Sequence, residues 1–154
     1  MPLCERVLAR TLHQESEGNR VPMDAKEVVE QFWKRVWLSA DVEAAGGLVA
    51  EDVVLHLFGA TDSGIDAWKQ STQVYFTALP DFRASVDFTV IEEEMVTVKW
   101  TGSGTHDGEL RGAAPTGRPV EISGVAIFRV ENGQIAEIWS QPDQLGLLKQ
   151  IGLA

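Results

Sequence analysis

A single cysteine, Cys4, stands in this chain of 154 residues. It excludes an internal disulfide and any metal site built on paired thiolates, and a reducing cytoplasm is the expected compartment. Positive charge is also scarce, with 13 Lys and Arg against 23 Asp and Glu and a formal net charge of −10. The basic residues are scattered, so no concentrated basic face awaits phosphate. Nucleic acid and membrane are therefore not expected partners. No apolar run approaches the roughly 20 residues of a membrane span, and the N-terminus lacks the apolar stretch of a signal peptide. His13, His56 and His106 do not have metal-ligand spacing. Gly102, Gly104 and Gly108 do not sit between a strand and a helix, which excludes a dinucleotide fingerprint. No local motif supports a Ser-His-Asp order.

What is present is a hydrophobic share of 44%, enough for one domain with a sizeable core. Residues 1–22 read as an arm, either disordered or docked through Leu3, Val7, Leu8 and Leu12. The domain itself is expected over residues 23–154. Asp24 with Glu27 three positions later is a capping-box signal. Val28, Val29, Phe32, Trp33, Val36 and Trp37 then recur at helical spacing. A short helix is expected from Asp41 to about Leu48. A mostly apolar strand follows from Asp52 to Phe58, expected to be buried on both faces. A further helix runs from Ser63 or Gly64 to Leu79, where Pro80 stops it.

The second half reads as four strands. Phe82, Ala84, Val86, Phe88 and Val90 alternate with polar residues, the pattern of a half-buried strand. Met95 to about His106 is the next, with Gly102 and Gly104 marking an expected bulge or bend. A loop over 107–117 leads to Val120–Val130, and Asn132-Gly133 makes a tight hairpin to Ile135–Gln141. Asp143–Ile151 closes the chain as a short helix. This order predicts an α+β fold: a curved, mostly antiparallel sheet with helices on one side, cone-shaped, with an apolar interior suited to a pocket.

Particular residues carry a resemblance. They are Gly104-Thr105-His106-Asp107-Gly108-Glu109-Leu110, Pro115-Thr116-Gly117-Arg118, Ile127 to Glu137, Trp139, Asp143, Leu145 to Gly152, and Leu79-Pro80-Asp81-Phe82. Over roughly residues 24–152 the chain resembles the SnoaL-like polyketide cyclase family, of the nuclear transport factor 2-like superfamily. The resemblance implies the cone fold, a small hydrophobic ligand, a homodimer or tetramer, and neither metal nor organic cofactor. It also implies ring closure by an intramolecular aldol reaction, with an aspartate near the end of the last strand and a histidine on the strand before. Those positions here are Ser140 and Ala126. A serine hydroxyl is not a general base near neutral pH without help, and alanine has no proton to exchange.

Other groups must then be weighed. His106 has a side chain suited to acid–base work near neutrality, or it orders its loop by a hydrogen bond. Asp143 caps the last helix, or it points inward in place of the missing carboxylate. Ser140 shares a strand face with Ala136 and Ile138 and is placed to orient a carbonyl or a water. His106, Ser140 and Asp143 are the candidate catalytic residues. Trp33, His56, Phe76, Trp100, Ala126, Phe128 and Ile138 are the candidate substrate-binding residues, with His56 either a pocket wall or a satisfied core histidine. The expected function is a cofactor-independent cyclase or isomerase acting on a polyketide-like hydrophobic carbonyl compound. The alternatives are a catalytically degenerate binding protein of the same fold, or a subunit whose sheet serves assembly.

Overall fold

The computed structural model describes residues 23–154; the arm expected over 1–22 lies outside them. Helix α1, Ala25–Phe32, starts where the capping signal places it, with Glu27 N donating to Asp24 Oδ1 at 2.8 Å. The chain then continues through one π-helical turn, Trp33–Trp37, in which Leu38 N donates to Trp33 O five residues back. Val28, Val29, Phe32, Trp33 and Val36 form its buried stripe. The helix expected over 41–48 is instead a single 3₁₀ turn, Val42–Ala45, capped by Asp41. Gly46-Gly47 ends it, with Gly47 at φ +78°, a conformation that costs glycine little.

Strand β1 spans Val49–Leu57 and turns through Phe58-Gly59 into a short β2, Ala60–Ser63. Both turn residues have positive φ, 53° and 79°, as a two-residue hairpin requires. The sequence had given no sign of β2, whose four residues are all exposed and carry no alternating pattern. β1 is also not buried on both faces. Val53 and Leu55 point inward, while His56 lies on the outer face. Helix α2, Ile65–Ala78, buries Trp68, Thr72 and Phe76 along one stripe.

Four long strands follow: β3 Arg83–Glu92, β4 Met95–Thr105, β5 Pro119–Glu131 and β6 Gln134–Pro142. Asn132 and Gly133 take positive φ at the β5–β6 turn, as the Asn-Gly pair predicts. The six strands form one curved, open, mixed sheet in the order β2-β1-β6-β5-β4-β3. Only the β1–β6 pairing is parallel. Helix α3, Gln144–Gln150, is tied to the start of β5 through Gln150, which exchanges two 2.8 Å bonds with the Glu121 backbone. The expected α+β architecture is therefore present. Among the described residues no helix is long and apolar enough to cross a membrane.

Two strand details differ from expectation. β3 is an edge strand, and within it only Ala84 is buried. The pairing shifts register at Asp87, between Val86 and Phe88. A bulge of this kind reverses which side chains face inward, and Phe88 and Val90 are 60% and 58% exposed. No bulge occurs at Gly102 or Gly104, since β4 stays in register with β5 through both. Gly102 instead admits a neighbour: a Cβ there would lie 2.4 Å from the buried Phe82 ring.

A candidate ligand cavity

The alternation of β1, β4, β5 and β6 sends one row of side chains to the concave face, and α1, its π turn and α2 lie across that face. A cavity remains between the two layers. Its floor is Leu55, Leu57, Trp100, Ile122, Ala126, Phe128, Ile138 and Ser140 from the strands. Its roof is Phe32, Trp33 and Trp37 with Trp68, Ser71, Thr72 and Tyr75. Phe82 and Pro142 complete it. Four of the five tryptophans of the chain thus face one space.

The aromatic rings brace one another. Trp33, Trp37 and Trp100 form a triangle of rings: Trp37 stacks on Trp33 at 5.7 Å and on Trp100 at 6.4 Å, with interplanar angles of 28° and 18°, and Trp33 lies 6.3 Å from Trp100. Phe32 meets Trp68 and Phe128, each at 5.6 Å. Trp33 is further pinned by its indole N–H, which donates to Ala84 O at 2.8 Å. Flat, rigid walls of this sort favour a flat apolar guest. The space is modest, about 60 Å³. That holds several waters or a guest of about one ring. Trp37 is only half-buried, so it is the wall a larger guest would have to push aside.

Ser140 and Ala126 are direct partners across β5 and β6, and both face the cavity. The two positions singled out by the resemblance therefore share one spot on the cavity floor. Neither side chain has a titratable group there. Among the described residues the lining contains no Asp, Glu, His, Cys, Lys or Arg. Its one ionisable side chain is Tyr75, and burial pushes the phenol up to about 12 against a small opposing pull from Arg111. At neutral pH the cavity offers neutral hydroxyls on Ser71, Thr72, Tyr75 and Ser140 and no general base.

The remaining candidates sort by position. Trp33, Trp100, Ala126, Phe128 and Ile138 line the cavity. Phe76 does not; it is buried behind Trp37, ring to ring at 5.4 Å. His56 sits on the outer face of the sheet, where it stacks on Trp139 at 5.1 Å. Its Nε2 lies 2.8 Å from Glu137 and its Nδ1 lies 3.0 Å from Thr61 Oγ1. The bond from His56, aided by Arg129, holds the Glu137 carboxyl below its usual range. Asp143 is an exposed N-cap that accepts from Gly146 N at 2.8 Å.

His106 is fully buried and lies outside the cavity lining. Its Nδ1 accepts from Thr116 N at 3.3 Å and lies 2.9 Å from Thr116 Oγ1. In the neutral ring the proton is then on Nε2. Its backbone carbonyl accepts from Thr116 N and Gly117 N, and its N–H donates to Arg118 O. The loop over 107–117 is thus closed on itself around this side chain. The neighbouring motif is structural in the same way: Asp81 accepts from Thr105 N at 2.6 Å and from Thr105 Oγ1 at 2.8 Å, tying the α2–β3 turn to the end of β4.

Residues 27–151 match the family of SnoaL-like polyketide cyclases. The chain belongs to the SnoaL-like polyketide cyclase family. Among solved structures it is similar to IdmH from Streptomyces antibioticus, a proposed polyketide cyclase, at 28% identity and TM-score 0.74, covering 84% of this chain and 99% of that one. It is also similar to AclR from Streptomyces galilaeus, a proposed hydroxylase, at 25% identity and TM-score 0.76, covering 84% and 85%. A SnoaL-like protein from Jannaschia, at 21% identity and TM-score 0.78 over 89% and 99% of the two chains, shares the fold. None of the curated proteins matches this sequence. Family and neighbours together support a cyclase-type function.

Sequence reasoning missed Trp37, Tyr75 and the polar pair Ser71 and Thr72. Polar residues inside a buried helical stripe read as core. A sharper signal was that Tyr75 is the only tyrosine in the chain, since a buried phenol needs a partner for its proton.

Proposed function

We propose that the cavity binds a hydrophobic carbonyl compound of polyketide type and acts by holding it in a shape ready for ring closure or isomerisation, without a cofactor. The observation that carries this is the lining itself: stacked indoles and aliphatic side chains, with neutral hydroxyls as its only polar groups. Such a wall attracts an apolar guest and offers it hydrogen bonds, but takes no proton from it near neutral pH. Restraining a chain that reacts with itself is a real source of rate, since well-oriented intramolecular models gain about 7–11 kcal/mol.

A second function has support from the same lining. With Ser140 and Ala126 on the cavity floor, a protein of this family that only binds or carries its ligand would look the same. Turnover separates the two. Native mass spectrometry after incubation with linear and polycyclic polyketides reports bound mass and conversion together. A ligand released with altered connectivity supports the positioning enzyme. A ligand bound and released unchanged across the panel identifies the binding protein, and no bound mass at any concentration removes the cavity as a ligand site.

The homo-oligomer belongs to this proposal as well. Phe88 and Val90 of the edge strand and Val125 of β5 are exposed apolar residues. A second copy of the chain covering this side of the sheet would remove them from water.

A further inference from the structure

Helix α2 turns one stripe inward, with Trp68, Thr72 and Phe76 spaced four residues apart and all buried. Thr72 is the polar member of that stripe. It is 5% exposed and lines the cavity. Packing alone asks only for the shape of valine here, and threonine is no better a helix former. Two other hydroxyls of the lining are already spent. Ser71 donates to Trp68 O at 2.8 Å, and Tyr75 is bonded to the side-chain amide of Gln144 at 3.0 Å. Among the described residues the Thr72 hydroxyl makes no hydrogen bond. The Ser140 hydroxyl makes none either, but Ser140 is only half-buried. The side-chain atoms that are both sealed from solvent and without a partner are His106 Nε2 and Gln144 Nε2. Thr72 Oγ1 is not among them, because it opens onto the cavity that Thr72 lines.

A hydroxyl in an enclosed apolar space is costly when it has no partner. An acceptor oxygen carried in by a guest would take its proton in a hydrogen bond. A hydrocarbon of the same shape would fill the space and leave the hydroxyl unpaired, and a site with such a group rejects the ligand that cannot satisfy it. The lining holds no carboxylate to compete for the bond and no cation to pair with an anionic guest. The oxygen that suits this position is therefore a neutral one, on a ligand whose ring lies along the indoles of Trp33, Trp37 and Trp100.

We infer that Thr72 is the specificity-determining residue of the cavity, its hydroxyl donating to a neutral carbonyl oxygen of the ligand. The inference rests on the proposed function above and adds the group that selects an aromatic ketone over a hydrocarbon of the same shape. It also separates two roles that one substitution tells apart. A hydroxyl that holds the fold together would be missed in the free protein, whereas one kept for a guest would be missed only when the guest is bound.

Acetophenone and ethylbenzene test this, being alike in size and differing in one carbonyl oxygen. Both are titrated into the full chain by calorimetry, with wild type, Thr72→Val and Thr72→Ser compared. Thr72→Val should weaken acetophenone roughly tenfold, the loss of one buried hydrogen bond, while ethylbenzene binds no worse than before. Thr72→Ser keeps the hydroxyl and should keep the preference for the ketone. Without ligand, Thr72→Val should melt at or above wild type, since no bond of the free protein is lost. In the infrared, the carbonyl stretch of bound acetophenone should lie at lower frequency in wild type and Thr72→Ser than in Thr72→Val, a signature that packing alone would not produce. If wild type does not prefer acetophenone, or if Thr72→Val leaves the preference and the stretch unchanged, the Thr72 donor is refuted while the cavity stands. A Thr72→Val protein that melts well below wild type with its preference intact would assign the hydroxyl to the fold and refute it equally. If neither probe binds wild type, the cavity itself falls as a ligand site, and this inference with it.

Discussion

Gly124 faces Trp100 across the β4–β5 pairing and is the position where a single methyl tests the aromatic wall most sharply. A Cβ at Gly124 would lie 2.6 Å from the Trp100 ring and 2.9 Å from Gln141 O. The second of these is backbone and cannot swing away. The indole is held by Trp37 and Trp33, at 6.4 and 6.3 Å between centroids, so it cannot retreat without moving its neighbours. Overpacking of this kind costs about 1–3 kcal/mol. For a chain of this size that lowers the melting temperature by roughly 2–12 °C. Gly46 is the control: its φ is −51° and its nearest contact is an ordinary 3.6 Å to Glu43 O. Gly46→Ala should be neutral or slightly stabilising, since alanine narrows the unfolded ensemble. Differential scanning calorimetry on both variants decides the matter. Gly124→Ala should melt well below wild type and bind aromatic ketones more weakly, because the displaced indole is a cavity wall. Equal melting of the two variants would refute the close packing of Trp100 on the sheet.

His106→Ala should lose about 2–4 kcal/mol in denaturant titration, from a buried side chain and its Thr116 bonds, while ligand affinity changes little. Ser140→Asp would put a carboxylate on the cavity floor beside Ala126. Desolvation should raise its pKa, so a conversion that is flat from pH 5 to 9 in wild type should acquire a pH-dependent component; stopped-flow assays across that range check it. Tyr75 has a folded pKa above its unfolded value, near 12 against 10.0. Its contribution is therefore fully present below about pH 10 and is lost as pH rises from there toward 12. Tyr75→Phe should remove that alkaline decline in thermal melts between pH 9 and 11.5. Phe88→Asp should shift any oligomer toward monomer in size-exclusion runs, and an unchanged mass would place the interface elsewhere.

Much of the scaffold could be read from periodicity. The α1 stripe from Val28 to Val36, the Asn132-Gly133 hairpin and the alternation of β5 and β6 all express local rules. Period two also put Ile138 and Ser140 on one face of β6, while the position of Ala126 and the inward direction of that face came from the family resemblance. The failures have physical causes. In Val53 to Phe58 the apolar outer residue Val54 hides the alternation, so His56 passed for an interior group when it faces out. β3 has a period-two pattern, but the bulge at Asp87 turns half of it away from the core. The family-like loop around His106 looks catalytic in sequence because a histidine sits among glycines, and only its closure on Thr116 shows that it holds the loop. The Tyr75–Gln144 pair joins residues 69 positions apart, and no local pattern announces such a bond.

In the proposed function a hydrophobic carbonyl compound occupies the space between the tryptophans and the sheet. A crystal structure of the chain saturated with acetophenone tests it most directly. Density for the ring is expected against Trp33, Trp100 and Phe128, with the oxygen toward a hydroxyl of the lining. Density only on the outer face, near Trp139 and His56, or an unchanged cavity at saturation, would contradict it.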